Sequence, residues 1–257
     1  MHIKLFIVIL CLCAFILPII LVQSLVRFFP SWVSQILPMW FHRQVLKLLG
    51  IKIVIKGKKS EYAPTLMISN HWSWLDIPVL GAIIKGYFVA KSDIEGWPVF
   101  GYLSKLQNTI FVNRTDRRQV GKQTNEITDC LETGKDVILF AEGTSNDGNR
   151  VLKFKSSLFA VAKPTEKIRP AVQPVTIYYN KLYGMPLGRR NRPFLAWYGD
   201  MDLMPHLKGI FNLGPVEVVV HFGETVFYDE FPSRKALSEH IENEVRNTYN
   251  AYATAKA

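Results

Sequence analysis

Cysteine is scarce: Cys11, Cys13 and Cys130 are the only three among 257 residues. Three thiols make no disulfide framework, and no Cys/His pair has zinc-like spacing. The composition therefore fits a reducing compartment and no structural metal. No internal repeat or low-complexity tract is present. No G-x-S-x-G nucleophile turn exists, which weakens a hydrolase reading. Acidic residues are missing from the first 60 residues, and Glu61 is the first.

What is present excludes intrinsic disorder: the chain is 49% hydrophobic and carries 16 Phe, 10 Tyr and 6 Trp. Its length fits one catalytic-sized domain plus an accessory segment. The net charge of +10 invites a nucleic-acid reading until its position is considered. Residues 1–60 hold eight basic side chains and no acid, whereas residues 61–257 hold 23 basic and 21 acidic ones. Basic residues beside apolar sequence suit an anionic membrane surface. A nucleic-acid protein carries its basic stripe in the globular part, so no nucleic-acid partner is expected.

From Leu5 to Val26 no residue is charged, and Lys4 and Arg27 bracket the run. Twenty or so apolar residues cross a hydrocarbon core of about 30 Å as a helix. Phe28, Phe29 and Trp32 follow as an aromatic belt would. A cleaved signal peptide fits less well, because one Lys precedes the run and no A-x-A-like site follows. Residues 31–49 alternate apolar and basic positions as an interfacial amphipathic helix does, with Pro38 as the expected break. A re-entrant hairpin of both segments is the competing topology. We take residues 1–50 as a membrane anchor (apolar helix 5–26, amphipathic helix 31–49) and residues 51–257 as the catalytic domain. The Lys/Arg balance favours the cytoplasmic side of the membrane for that domain.

Beyond residue 50, short β-rich runs alternate with helical stretches. Strands are expected at 51–56, 65–69, 87–90, 109–112, 137–141, 171–178, 194–198 and 215–222, and helices at 75–84, 97–106, 117–133, 155–163 and 233–252. This alternation indicates an α/β domain with a mixed, largely parallel sheet flanked by helices. Residues 180–193 read as an exposed basic loop.

The strongest local feature is Ser69-Asn70-His71-Trp72-Ser73-Trp74-Leu75-Asp76, directly after an expected strand. A carboxylate within reach of a histidine fixes its tautomer through the Nδ1 proton. On a continuous helix the two would stand about 140° apart, so the pairing requires a turn at residues 71–73. Three further segments follow in order: Thr-Ile-Phe-Val-Asn-Arg at 109–114, Leu-Phe-Ala-Glu-Gly-Thr-Ser-Asn-Asp-Gly at 139–148, and Ala-Val-Gln-Pro-Val at 171–175.

In this order and spacing the four segments resemble the sequence blocks of the glycerolipid acyltransferases of the lysophosphatidate acyltransferase type, over about residues 51–225. The resemblance implies a membrane-bound O-acyltransferase. His71 would be the general base on the acceptor hydroxyl, and Asp76 would orient it. Arg114, with Glu142, Gly143 and Thr144, would serve the acceptor headgroup, and Lys91 and Lys155 match basic positions near the same pocket. Gln173-Pro174-Val175 resembles a block linked to the acyl side. The partners implied are the bilayer, a lysolipid acceptor and an acyl-carrier-protein or CoA thioester as co-substrate, with no cofactor. A positioned base supplies about 10²–10⁴-fold in such a reaction, and donors must meet the developing oxyanion.

The third block departs from the usual Phe-Pro-Glu-Gly-Thr-Arg-Ser. Ala141 replaces the Pro and Ser145 stands in place of the Arg, which removes a bidentate phosphate donor. The variant run and Trp197-Tyr198-Gly199-Asp200-Met201 resemble a bacterial subgroup that includes lyso-ornithine lipid acyltransferases as well as lysophosphatidate acyltransferases. The acceptor the resemblance implies first is 1-acyl-glycerol 3-phosphate, in phosphatidate synthesis, with Arg150 replacing the missing charge; lyso-ornithine lipid is the alternative acceptor. A non-catalytic lipid-binding protein on the same fold is the alternative of another class.

Overall fold

The structure, a computed structural model, describes residues 18–26, 29, 31–112 and 120–254. Its centre is a nine-stranded sheet: β1 (Ile51–Lys56), β2 (Thr65–Ser69), β3 (Gly86–Lys91), β4 (Ile110–Val112), β5 (Asp136–Phe140), β6 (Ala171–Leu182), β7 (Met185–Pro186), β8 (Val216–Phe222) and β9 (Val226–Phe227). The main order is β1-β8-β6-β2-β5-β3-β4, with β7 and β9 paired to β6. From β6 across β2, β5 and β3 to β4 every pairing is parallel, and β8 runs antiparallel to β6. The sheet is thus mixed and mostly parallel, as expected.

Burial explains the parallel core. All five residues of β2 and the first nine of β6 are buried, the mark of strands covered on both faces. The helices that follow are α4 (Asp76–Gly81), α5 (Phe100–Leu106), α6 (Val120–Glu132), α7 (Leu203–Asn212) and α8 (Arg234–Thr254), of which α8 packs on β6 and α6 on β5. In α8, Leu237, Ile241, Val245 and Tyr249 form the buried stripe that the sequence spacing indicates.

Before the sheet lie α1 (residues 18–26), α2 (Ser31–Ser34) and α3 (Ile36–Leu49). The expected apolar helix 5–26 falls mostly outside the described residues. Among those described, no helix is long and apolar enough to cross a membrane. The expected amphipathic helix 31–49 breaks at Gln35 rather than at Pro38. Pro38 sits in the first turn of α3, where a missing N–H costs no helical bond.

Three other expectations are corrected. Residues 194–198 are no strand: Leu195 and Ala196 are buried beneath the loop that follows β2, and Trp197 N–H donates to Trp72 O at 3.0 Å. The stretch 155–163 forms a 3₁₀ helix, Ser156–Ala162. The basic loop at 180–193 is not wholly exposed: Asn180–Leu182 complete β6, and Arg192 turns inward with 3% of its surface exposed.

Candidate active site

The central strand β2 lies between β5 and β6, and its last residue, Ser69, pairs with Phe140 and Val175. The chain therefore leaves β2 at the carboxyl edge of the sheet, where open α/β folds place their ligands. There residues 71–75 turn before α4 begins, with Asp76 N–H donating to Ser73 O at 3.0 Å. This turn supplies what a continuous helix denies. His71 Nδ1 lies 2.8 Å from Asp76 Oδ2.

Asp76 is fully buried and collects four donors. Besides His71, Oδ2 accepts from Trp72 N–H at 2.6 Å and Ser73 N–H at 3.0 Å, and Oδ1 accepts from Tyr179 Oη–H at 2.8 Å. Such a set compensates the burial of a carboxylate. Burial, and then the Asp76 charge, push the Tyr179 phenol well above its usual range, so it remains a donor. With the Nδ1 proton held by Asp76, Nε2 of His71 is the nitrogen left to accept one. The imidazole stacks on Phe140, centroids 4.1 Å apart and planes 17° apart.

Glu142 braces the same loop from β5. Its Oε1 accepts from His71 N–H at 3.1 Å and its Oε2 from Asn146 Nδ2 at 2.6 Å. Asn146 also gives Nδ2 to His71 O at 3.2 Å, and its own Oδ1 accepts from Gly148 N–H at 2.7 Å. Burial pushes the Glu142 carboxyl up to about 7 against these hydrogen bonds. Gly143 has φ of +74°, and a β-carbon there would lie 2.7 Å from Lys155 Nζ. The turn thus needs glycine twice over, for its backbone and for the lysine that packs on it. Gly143 N–H donates to Phe140 O at 3.2 Å, which commits that amide to the turn.

The structure brings His71, Asp76, Glu142, Gly143 and Lys155 together. Thr144 is exposed, with its hydroxyl on Ser145 O at 3.3 Å. Lys91 ends β3 on the same edge of the sheet and pairs with Asp93. Arg150 is exposed, and with the Asn149 hydrogen bonds it outweighs burial to hold the Asp147 carboxyl low. Arg114 lies outside the described residues. Gln173 is fully engaged elsewhere: its amide bonds Ser60 N–H, Lys58 O and Gly223 O, each at 2.9 Å. Sequence reasoning did not single out Asn146, though it stands in the quoted third block. It missed Tyr179, which lies 103 residues from Asp76 and carries no local signal.

Behind His71 opens an apolar cavity of about 250 Å³. Its walls are Ile19 and Gln23 of α1, Phe41, His42 and Val45 of α3, Trp74, Leu103 of α5, and Leu203, Leu207 and Phe211 of α7. Trp97 and Trp197 meet edge to face in its lining, centroids 6.0 Å apart. His42 is buried among these groups, and that burial lowers it to about 4 against its hydrogen bond to Gln107 Oε1. The imidazole is thus neutral at physiological pH. The sequence alone did not reveal α7. It is held by Trp74 Nε1–H donating to His206 Nδ1 at 3.0 Å.

Comparison with known proteins agrees with this geometry. Residues 50–178 match the family model described as Acyltransferase. A lyso-ornithine lipid O-acyltransferase of Brucella abortus (strain 2308) is 45% identical over 248 residues, covering 95% of this chain and 93% of the relative. A 1-acyl-sn-glycerol-3-phosphate acyltransferase of Neisseria meningitidis serogroup B is 29% identical over 79% of this chain and 77% of its own length. The crystal structure of the 1-acyl-sn-glycerophosphate acyltransferase PlsC from Thermotoga maritima superposes with a TM-score of 0.70 at 20% identity. The match covers 98% of this chain and 94% of that one, which establishes the fold. A histidine–carboxylate pair at the carboxyl edge of such a sheet, in a chain so closely related to named acyltransferases, leaves one assignment: the protein belongs to the acyltransferase family.

Proposed function

We propose that the protein transfers a fatty acyl group from an acyl thioester to the free hydroxyl of a lysolipid. The observation that carries this reading is His71, oriented by Asp76 and lining an apolar cavity of a size and character to hold a hydrocarbon chain. Nε2 takes the proton of the acceptor hydroxyl as its oxygen attacks the thioester carbonyl. The tetrahedral intermediate collapses, the C–S bond breaks, and the imidazolium returns its proton to the departing thiolate. The acyl-enzyme route is not needed, because a thioester is already an activated donor. The donor is an acyl-carrier-protein or CoA thioester, and no metal or cofactor takes part.

The acceptor we assign first is lyso-ornithine lipid. The relative carrying that name is matched at 45% identity, against 29% for the Neisseria relative named for 1-acyl-sn-glycerol 3-phosphate, and Ser145 stands where a phosphate-binding Arg would be. The second reading is 1-acyl-glycerol 3-phosphate, favoured by the exposed cations Lys155 and Arg150 near the turn. Lys91, Arg114, Glu142, Gly143 and Thr144 complete the acceptor side in this proposal, Glu142 and Gly143 by shaping the loop. Residues 1–50 attach the enzyme to the cytoplasmic face of the inner membrane. Purified full-length protein given both acceptors side by side is expected to acylate lyso-ornithine lipid faster. Equal or reversed rates would overturn the acceptor assignment, and a full-length protein that stays soluble without detergent or vesicles would overturn the attachment.

A further inference from the structure

After residues 1–60, the longest stretch without Asp or Glu is residues 167–199, which carries Lys167, Arg169, Lys181, Arg189, Arg190 and Arg192. The structure gives its second half a distinct surface. Arg192 is turned in on Tyr178, while Arg189 and Arg190 stand exposed without an ion pair among the described residues. Beside them, large apolar side chains face water: Phe194 is 61% exposed, Met185 66% and Tyr183 58%. Solvated loops do not need such groups, and an apolar patch rimmed by cations suits an anionic interface.

This patch is tied to the cavity through α7. A β-carbon on Gly214 would run into the Tyr183 ring, and Tyr183 N–H donates to Pro215 O at 2.9 Å, so the β6–β7 turn rests against the end of α7. Leu203, Leu207 and Phe211 of α7 line the cavity, while Met204 and Lys208 on the neighbouring face are exposed. Ile19, Phe41 and Val45 of the N-terminal helices line the same cavity, and Leu21, Leu25, Ile36 and Trp40 of those helices are exposed. Both sets of helices that line the cavity therefore also carry exposed apolar side chains.

We propose that residues 183–194, with Met204 of α7, form a second membrane-contact face, which rests on anionic lipid beside the cavity that the N-terminal helices also line. Arg189 and Arg190 meet the headgroups, and Phe194, Met185 and Met204 enter the boundary with the acyl chains. This rests on the membrane attachment proposed above, and it explains how a lipid acceptor reaches His71 without crossing water.

The test is amide hydrogen exchange on the full-length protein, with and without vesicles of mixed phosphatidylcholine and phosphatidylglycerol. Exchange is expected to slow in residues 183–194 and 201–208 as well as in 5–49. In Arg189→Glu/Arg190→Glu, half-protection of 183–208 is expected to need at least about 30-fold more anionic lipid, from the attraction of two cations. The rate on a water-soluble short-chain acceptor should stay unchanged. Slowing confined to 5–49 would overturn this proposal and leave the anchor standing, whereas slowing confined to 183–208 would do the reverse. Equal protection on phosphatidylcholine alone, or an unaltered lipid requirement in the double variant, would also overturn it.

Discussion

The two sides of His71 are built on opposite principles. On the sheet side, polar atoms interlock: four donors on Asp76, and Asn146 bridging Glu142 to the His71 backbone. On the other side is a mostly apolar cavity whose walls come from α1, α3, α5 and α7. The first region fixes one side chain in one tautomer. The second offers surface without direction, as a hydrocarbon chain requires. Chemistry needs preorganised dipoles, and chain binding needs area, so the two are separable by mutation.

The largest effect is expected on the polar side. His71→Ala should lower kcat by about 10³-fold or more while leaving the melting temperature near that of the wild type, since the side chain stacks at the cavity edge. Asp76→Asn should cost about 10²–10³-fold, because an amide cannot accept from all the donors that converge there. Tyr179→Phe removes one of those donors at the far oxygen and should cost about tenfold. Steady-state rates on a saturating lysolipid check all three. If Asp76→Asn retained full activity, the orienting role would fail.

Glu142→Gln should lower activity by about 10–100-fold, since Asn146 already points its amide nitrogen at Oε2 and meets a second donor. It also carries a pH signature. In the folded protein this carboxyl titrates at about 7, above its ordinary 4.5, so the fold holds the extra proton between those values. The stability it contributes is complete below 4.5 and is lost as pH rises through 7, up to about 3 kcal/mol. Urea midpoints measured from pH 5 to 8 should fall in the wild type and flatten in Glu142→Gln. Parallel curves would show that Glu142 is ionised throughout.

The same contrast governs what the sequence discloses. His71 and Asp76 are local partners joined by one turn, so their spacing announces them, and the apolar centres of β2 (Leu66, Met67, Ile68), β5 (Val137, Ile138, Leu139) and β8 (Val218, Val219, Val220) show as short runs. Asn146 and Glu142 lie in one segment, yet their work on the loop depends on the register of β5 beside β2. Tyr179 arrives from a distant strand. The cavity is drawn from residues 19 to 211, an assembly with no sequence period of its own. Residues 194–198 have strand-like composition, but Leu195 and Ala196 are buried under the His71 loop instead of joining the sheet. Local propensity yields where tertiary burial is larger.

Leu103→Trp tests the apolar side alone. The added ring narrows the cavity between α5 and α3, and each methylene it excludes should cost long-chain donors about fourfold. The pH profile of kcat should match the wild type because the His71 network is untouched. Rates across a series of donor chain lengths decide: a uniform fall for all lengths would mean that the cavity does not receive the chain.

The smallest effect should come from the polar pair that interrupts the cavity's apolar lining. His42 Nε2 meets Gln107 Oε1 at 2.9 Å, and the ring also fills the space over Gly81. Removing one partner leaves the other unpaired, whereas replacing both with Leu exchanges a satisfied pair for apolar volume and should be nearly neutral at pH 7.5. Below that pH the two proteins part. Burial holds His42 at about 4 against an ordinary 6.5, so the unfolded chain binds the extra proton first. The stability gained from keeping it neutral is full above 6.5 and declines as pH falls through 4. His42→Leu/Gln107→Leu should therefore lose less stability than the wild type between pH 6.5 and 4, while its chain-length preference stays close to normal. A double variant as acid-sensitive as the wild type would mean that protonation reaches the cavity wall without cost, and the contrast between a polar and an apolar side of His71 would weaken.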